Sequence, residues 1–437
     1  MGSIPTVAST PRILVRVSVT EAVHTRAHVD LAERARRVLP GGATHASRTY
    51  DPRIYVARSS GSRKWLIDGT ELIDYTMGHG ALLLGHAHPA MVAAVQEQVA
   101  RGTHYGAAHP LEVEWAELIA SLVPSAEKVR FTASGTEAVM LALRVARAAT
   151  GRDRIVKLQD HFHGWSDAVS PYRDARGRTR VPVGVPETMG ELTTVVGTDD
   201  PAGLEAEVAH GDVAAVIMEA SGAHYGQIPL DPSFISAARV ACTRTGTLLV
   251  FDEVVTGFRV SPGGMQSVLG ITPDISVLGK VMAGGLPSGA VAGRADLLEL
   301  LATTIAHPGT FNANPLSAAA GIATLKLVAG GAPQRTAEGF AMTLAGEWTA
   351  ALESAGVPGT IGRLSSILHI FLRDPSAQAR IANAMRAEGI DILNTSAFCS
   401  SVHTIADLEQ SVAAFARAIV VASTPERSGP AGENAAR

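Results

Sequence analysis

The chain has little cysteine, little charge and few aromatic side chains. Its two cysteines, Cys242 and Cys399, stand far apart and without metal-ligand spacing. That excludes a disulfide framework or a cysteine-based metal site and fits reduced thiols in a cytoplasmic protein. Charged residues make up 18% of the chain, and 37 Lys and Arg nearly balance 41 Asp and Glu. With a formal net charge of -4 and no basic cluster interleaved with aromatics, nothing suits nucleic acid. No apolar run is long enough to span a membrane, and the run at 13–19 is broken by Arg16. What is present is 46% hydrophobic content with 43 glycines, enough to bury a large core in one big domain or two.

One stretch stands out from this background. Residues 276–294 read SVLGKVMAGGLPSGAVAGR and set Lys280 among Val277, Leu278, Val281 and Met282, just before Gly284 and Gly285. Apolar flanks penalise the charged form of an amine and prime a lysine for Schiff-base chemistry. Earlier, the run TLLVFDE carries an apolar strand into Asp252, where a carboxylate at the rim of a sheet can keep a pyridinium nitrogen protonated. A lysine for an imine and an aspartate for a ring nitrogen are the two protein groups that pyridoxal phosphate chemistry requires.

The middle of the chain repeats apolar strand, small or polar turn, and amphipathic helix. Strands are expected at 128–132, 154–158, 213–218, 247–251, 275–278 and 289–292, which makes an α/β fold with a mostly parallel sheet. Ligands of such sheets bind beyond the carboxyl ends of the strands. Ser134, Gly135 and Thr136, then Phe162 and His163, Glu219, Asp252 and Lys280 are therefore expected to converge. Upstream lie a helix at 29–39 and short antiparallel strands at 54–57 and 64–74 around Asp68-Gly69. A loop rich in glycine and histidine follows, with helices at 89–101 and 110–122. The expected division is a flexible arm over 1–25, a segment over 26–80 that packs with the small domain, and a cofactor-binding large domain over 81–318. A small C-terminal α/β domain over 319–424 and a disordered tail over 425–437 complete it.

Each candidate also has a bland reading. Ser134, three residues before Glu137, makes a capping box, and Gly135 permits close backbone approach, which suits a phosphate at a helix start and equally an ordinary capped helix. Phe162 suits stacking on a planar cofactor or packing in a core, with His163 at the surface. His224 beside Glu219 suits a hydrogen bond to a cofactor's phenolic oxygen or a structural role. Asp252 suits a salt bridge with Arg259, and Lys280 an ordinary surface lysine. Their joint occurrence on successive strand ends is what argues for one site.

The motifs SGTEA at Ser134, FHG at Phe162, FDEVVTGFR at Phe251, LGKVMAGGLPSGAVAGR at Leu278 and PGTFNANP at Pro308 resemble the class III pyridoxal-phosphate-dependent aminotransferases over 29–422. PGGATHASR and GHAHP resemble the subgroup that contains glutamate-1-semialdehyde aminomutase, and GHGALLLGHAHP, EASGAHYG and GFRVSPGGMQ its D-phenylglycine aminotransferase branch. The resemblance implies a fold type I homodimer with sites at the subunit interface. It implies Lys280 as nucleophile and general base, Asp252 on the pyridine nitrogen, and Ser134, Gly135 and Thr136 on the phosphate. Thr310 would reach the phosphate of the neighbouring subunit, while Val254 and Phe162 sandwich the ring. His163, Glu219 and His224 would border the cofactor, Arg48 would bind a substrate carboxylate, and His79 and His224 would face the substrate. Phe162 stands where the family usually has tyrosine; His79 and His224 replace a tryptophan and an asparagine of the aminomutase and argue against its own substrate. The expected activity is amino transfer between an amino acid, with aromatic, D- and β-amino acids among the candidates, and a 2-oxo acid. An aminomutase or a racemase or epimerase would use the same groups, whereas a binding protein without turnover would not need Lys280 and Arg48 together.

Overall fold

The computed structural model describes residues 25–45, 48 and 53–424. The arm expected over 1–25, apart from Thr25, and the tail over 425–437 lie outside the described residues. We label the strands of the largest sheet in chain order: β1 (Lys128–Thr132), β2 (Arg154–Leu158), β3 (Thr193–Val196), β4 (Val213–Met218), β5 (Leu248–Glu253), β6 (Ile275–Gly279) and β7 (Gly289–Gly293). Their spatial order is β1-β7-β6-β5-β4-β2-β3. β7 runs antiparallel to both β6 and β1, and the remaining pairs are parallel.

Every residue of β4 and β5 is buried, as a parallel sheet covered on both faces requires. One face packs on the helix Gly135–Thr150 through Ala138, Leu141, Ala142 and Val145, against Ile217, Val250, Val277 and Val291. Another core gathers Trp115, Phe131, Leu278, Met282 and Leu325, and Trp115 Nε1 donates to the Met282 carbonyl at 3.2 Å. Strand β7 is made of small residues for a reason. A Cβ at Gly289 would stand 2.2 Å from the Ser134 carbonyl, so only glycine lets β7 pass beneath the start of that helix.

The C-terminal region has its own core around Trp348, Ile370, Met385 and Phe415. It consists of a three-stranded antiparallel sheet, Gly359–Leu364, Ile367–Leu372 and Ser396–Phe398, with the helices Ala332–Ser354, Pro375–Ala387 and Ile405–Ser423. The strands Val56–Ser60, Arg63–Leu66 and Glu71–Asp74 from the N-terminal segment form a second small sheet, which Ile390–Asp391 completes by pairing in parallel with Ile73 and Asp74.

That junction encloses charge. Lys64 Nζ donates to Asp74 Oδ1 at 3.1 Å and to the Asp391 carboxylate, Arg386 Nε donates to Asp391 Oδ1 at 2.8 Å, and His86 Nε2 lies 2.6 Å from Asp74 Oδ2. Burial opposes ionisation of Asp74, yet the Lys64 ammonium beside it holds its carboxyl well below the usual carboxylate range. A carboxylate with a depressed folded pKa contributes stability that is present above its unfolded pKa, near ~4, and lost as pH falls through its folded pKa. Lys64→Met leaves two carboxylates buried without their shared cation and is expected to cost about 3–5 kcal/mol at pH 7. Denaturant midpoints should show the largest gap from the parent at neutral pH and a narrowing gap below about pH 4.

Candidate active site

The carboxyl ends of β2, β4, β5 and β6 open onto a cavity of about 570 Å³. Its wall brings together Ser134, Gly135, Thr136, Phe162, His163, Glu219, His224, Asp252, Val254 and Lys280. Lys280 is the first residue after β6 and takes a left-handed φ of 48°, a conformation that costs a non-glycine residue about 1 kcal/mol or more. Val281, Met282 and Ala283 behind it are completely buried. Burial pushes the Lys280 amine pKa down, against the pull of Asp252 and Glu219.

Asp252 pairs with His163 rather than with Arg259. Its Oδ2 lies 2.8 Å from His163 Nδ1, and its Oδ1 accepts the Val254 backbone N–H at 3.0 Å. His163 is buried, not at the surface, and burial holds its pKa down despite the carboxylate, so a neutral ring donating Nδ1–H to Asp252 is the consistent tautomer. Arg259 points elsewhere, to Gly80, Ser366 and Cys399.

Glu219 grips backbone. Its carboxylate accepts N–H groups from Phe162 at 2.9 Å, His224 at 3.1 Å and Tyr225 at 2.7 Å, clamping two loops to the end of β4. Burial and Asp252 push its pKa up to about 7 against those three donors. The capping box expected at Ser134 is offset by one residue. Ser134 Oγ accepts the Glu137 N–H at 3.2 Å, but the Glu137 carboxylate reaches past the extended Ser134 to the Ala133 N–H at 2.7 Å.

These residues fit a planar, phosphorylated pyridine. A Cβ on Gly135 would press on Val254 at 3.0 Å, and one on Gly164, at φ 90°, would meet Thr136 Oγ1 at 2.5 Å, so both glycines keep the helix start and the ring slot close. The N-terminus of the helix Gly135–Thr150 suits a phosphate with the Ser134 and Thr136 hydroxyls, while Asp252 suits a ring nitrogen. Phe162, 63% exposed, and Val254 border the slot. Ser288 Oγ is buried in the same wall without a partner.

A second cavity of about 870 Å³ adjoins the first and shares His79, Leu393 and Asn394 with it. Arg48 lines this second chamber together with Lys64, His86 and Arg386, so it stands beside the cofactor slot and not within it. His79 lies with its ring centroid 5.3 Å from that of His45. Burial, then His45, Arg48 and Lys280, push the His79 pKa down to about 4. Thr310 is in neither chamber: it borders a smaller cavity of about 240 Å³ with Glu137, Arg144 and His307, and its carbonyl accepts from His104 Nε2 at 2.5 Å. Within one chain it does not reach the slot, because its loop folds along the outside of the helix Gly135–Thr150.

The wall also holds residues that sequence reasoning did not single out. His45, Tyr225 and Ser288 sit inside recognisable motifs, whereas Leu393 and Asn394, from an irregular turn of the C-terminal region, carry no local signal. Asp252→Asn keeps the shape of the slot and removes its charge; kcat/KM is expected to fall by about 10²–10³-fold in steady-state assays. Because His79 stays neutral above about pH 5, the substrate KM of the parent should show no inflection near pH 6.5 that His79→Phe removes.

Comparison with known proteins gives one consistent family. The family "Aminotransferase class-III" matches residues 45–414. A glutamate-1-semialdehyde 2,1-aminomutase of Methanopyrus kandleri is 38% identical over 416 residues, covering 90% of this chain and 96% of that protein. An omega-transaminase from Sphaerobacter thermophilus superposes with a TM-score of 0.87 at 33% identity, over 93% of this chain and 100% of that one. A glutamate-1-semialdehyde aminomutase from Pseudomonas aeruginosa PAO1 gives 0.85 at 25% identity, over 92% and 96%. The fold is that of the type I pyridoxal-phosphate enzymes, and pyridoxal phosphate is the cofactor that the slot accommodates. The chain belongs to the class III aminotransferases.

Proposed function

We propose that this protein transfers an amino group from an amino acid to a 2-oxo acid, working as a cytoplasmic homodimer. The observation that carries the reading is the pair His79 and His224 in the cavity wall, at the positions where the aminomutase pattern has tryptophan and asparagine. Bound pyridoxal phosphate supplies an electron sink for the pair of electrons released when the bond from hydrogen to the amine-bearing carbon breaks. Lys280 Nζ, its pKa lowered by burial, would hold the cofactor at rest and, freed as an amine when the substrate's amino group takes its place, would take up that proton. Asp252, steadied by His163, holds positive charge on the ring nitrogen. The helix start at Ser134 holds the phosphate, with Thr310 contributed by the partner subunit. Arg48 meets the substrate carboxylate from the second chamber. Two joined chambers suit a transferase, which must release one oxo acid and admit another through the same site.

A second reading is rearrangement of the amine within one molecule. The Methanopyrus kandleri relative, a glutamate-1-semialdehyde 2,1-aminomutase at 38% identity, weighs toward it and exceeds the 33% of the omega-transaminase structure; that structure's TM-score of 0.87 supports transfer. The visible absorption of the holoenzyme separates the two. Single additions of glutamate, D- and L-phenylglycine, β-phenylalanine and glutamate-1-semialdehyde are compared. Transfer predicts that one amino acid bleaches the band with release of an equivalent of oxo acid, and that a 2-oxo acid restores it. Turnover of the semialdehyde alone, with the amine recovered on the neighbouring carbon and no oxo acid released, would establish rearrangement instead. Loss of optical activity without bleaching or release would indicate a racemase.

A further inference from the structure

The wall between the two chambers is a left-handed turn. Met77, Gly78, His79 and Gly80 have φ values of 43°, 60°, 57° and 83°. Two of the four are not glycine, so the turn is strained and persists only where its surroundings over-determine it. Met77 is buried against Ile367 and Phe398 of the C-terminal region. The Gly80 carbonyl accepts two hydrogen bonds from one guanidinium, Arg259 Nε at 3.0 Å and Nη2 at 2.9 Å.

The rest of that guanidinium is equally committed. Arg259 Nη1 donates to Ser366 Oγ and to the Cys399 carbonyl, each at 3.0 Å, and the guanidinium carbon lies 5.4 Å from the centre of the Phe398 ring. Arg259 is completely buried, and among the described residues it has no carboxylate partner. A buried charge without a counter-ion is a poor device for stability, since an apolar side chain of similar volume would serve better. Its four bonds instead have a geometric result. They tie the segment after β5 to the turn at 77–80 and to Ser366 and Cys399, which flank strands of the C-terminal region, and His79 is the turn's only side chain shared by both cavities.

We propose that Arg259 is a positioning residue for substrate recognition: by gripping the Gly80 carbonyl it fixes His79 in the wall between the cofactor slot and the second chamber. The proposal rests on His79 facing the substrate. Arg259 lines neither chamber, and the charge with which it helps press the Lys280 amine pKa down is one that lysine keeps, so Arg259→Lys reads the grip on Gly80 through donor affinity. Lysine at this position has a point charge in place of a fork and cannot make both bonds to Gly80 while keeping those to Ser366 and Cys399.

The test is a double-mutant cycle on the holoenzyme with Arg259→Lys, His79→Ala and the pair. Donor affinity and the limiting rate of the first half-reaction are read from bleaching of the cofactor band. Arg259→Lys should weaken the donor by about tenfold, with the limiting rate within about twofold and the band unchanged. In the His79→Ala background it should have no further effect. If His79→Ala leaves donor affinity unchanged, the substrate role of His79 falls, and the proposal with it. If His79→Ala weakens the donor but the two losses multiply, Arg259 does not act through His79 and only the proposal falls. Should Arg259→Lys fail to fold, Gly78→Ala strains the same turn, at φ 60° with a Cβ 3.3 Å from Leu82, without touching Arg259. It should weaken the donor only while His79 is present; unchanged affinity would overturn the proposal.

Discussion

Parallel strands side by side deliver the residues at their carboxyl ends to one place, and everything at this site follows from that delivery. Phe251 of β5 is level with Met218 of β4, and Asp252 with Val277 of β6, so Glu219, Asp252 and Lys280 arrive on one edge of the sheet. A lysine and two carboxylates in an apolar setting cannot all be accommodated without further support. His163 supplies it for Asp252, three backbone N–H groups supply it for Glu219, and the cavity itself gives the Lys280 amine a face open to a ligand.

A second constraint is strain. His79 and His224 both sit in left-handed backbone, at φ 57° and 49°, and both neighbouring turns pack on one cluster formed by Met77, Tyr225, Ile367 and Phe398. Each turn is held by a buried charged side chain acting on main chain: Arg259 on the Gly80 carbonyl, and Glu219 on the His224 and Tyr225 amides. The same cluster includes residues of the C-terminal region, so the His79 and His224 side of the cavity is set by docking of that region, while the Lys280 side is set by the sheet with the helix start and loop at its carboxyl edge.

That split explains how much was legible in the sequence. Six strands of the sheet could be read from apolar runs ending in small or polar residues, and the Asp252 and Lys280 signals are local, so the cofactor side was legible. β3 was not, because TTVV is short and half threonine and follows a polar stretch. The bland reading of Asp252 as a salt-bridge partner of Arg259 is set aside, because nearness in sequence says nothing of the carbonyls at 80 and 399 that actually engage the arginine. Leu393 and Asn394 enter the wall through tertiary packing; Arg48 lines the second chamber, and Thr310, expected at the neighbouring subunit's phosphate, lies outside this chain's own slot.

The central claim is that Lys280, and no other amine, holds the cofactor. A rival exists: Lys157 is also buried near Glu219, and burial pushes its pKa down to about 8, although its Nζ donates to the Val169 carbonyl at 2.8 Å. Borohydride reduction of the holoenzyme, followed by digestion and peptide mass analysis, separates them directly. The structure predicts the reduced pyridoxyl phosphate mass on the peptide containing Lys280 and on no other. The same mass on Lys157 or Lys64, or on none, would contradict the account.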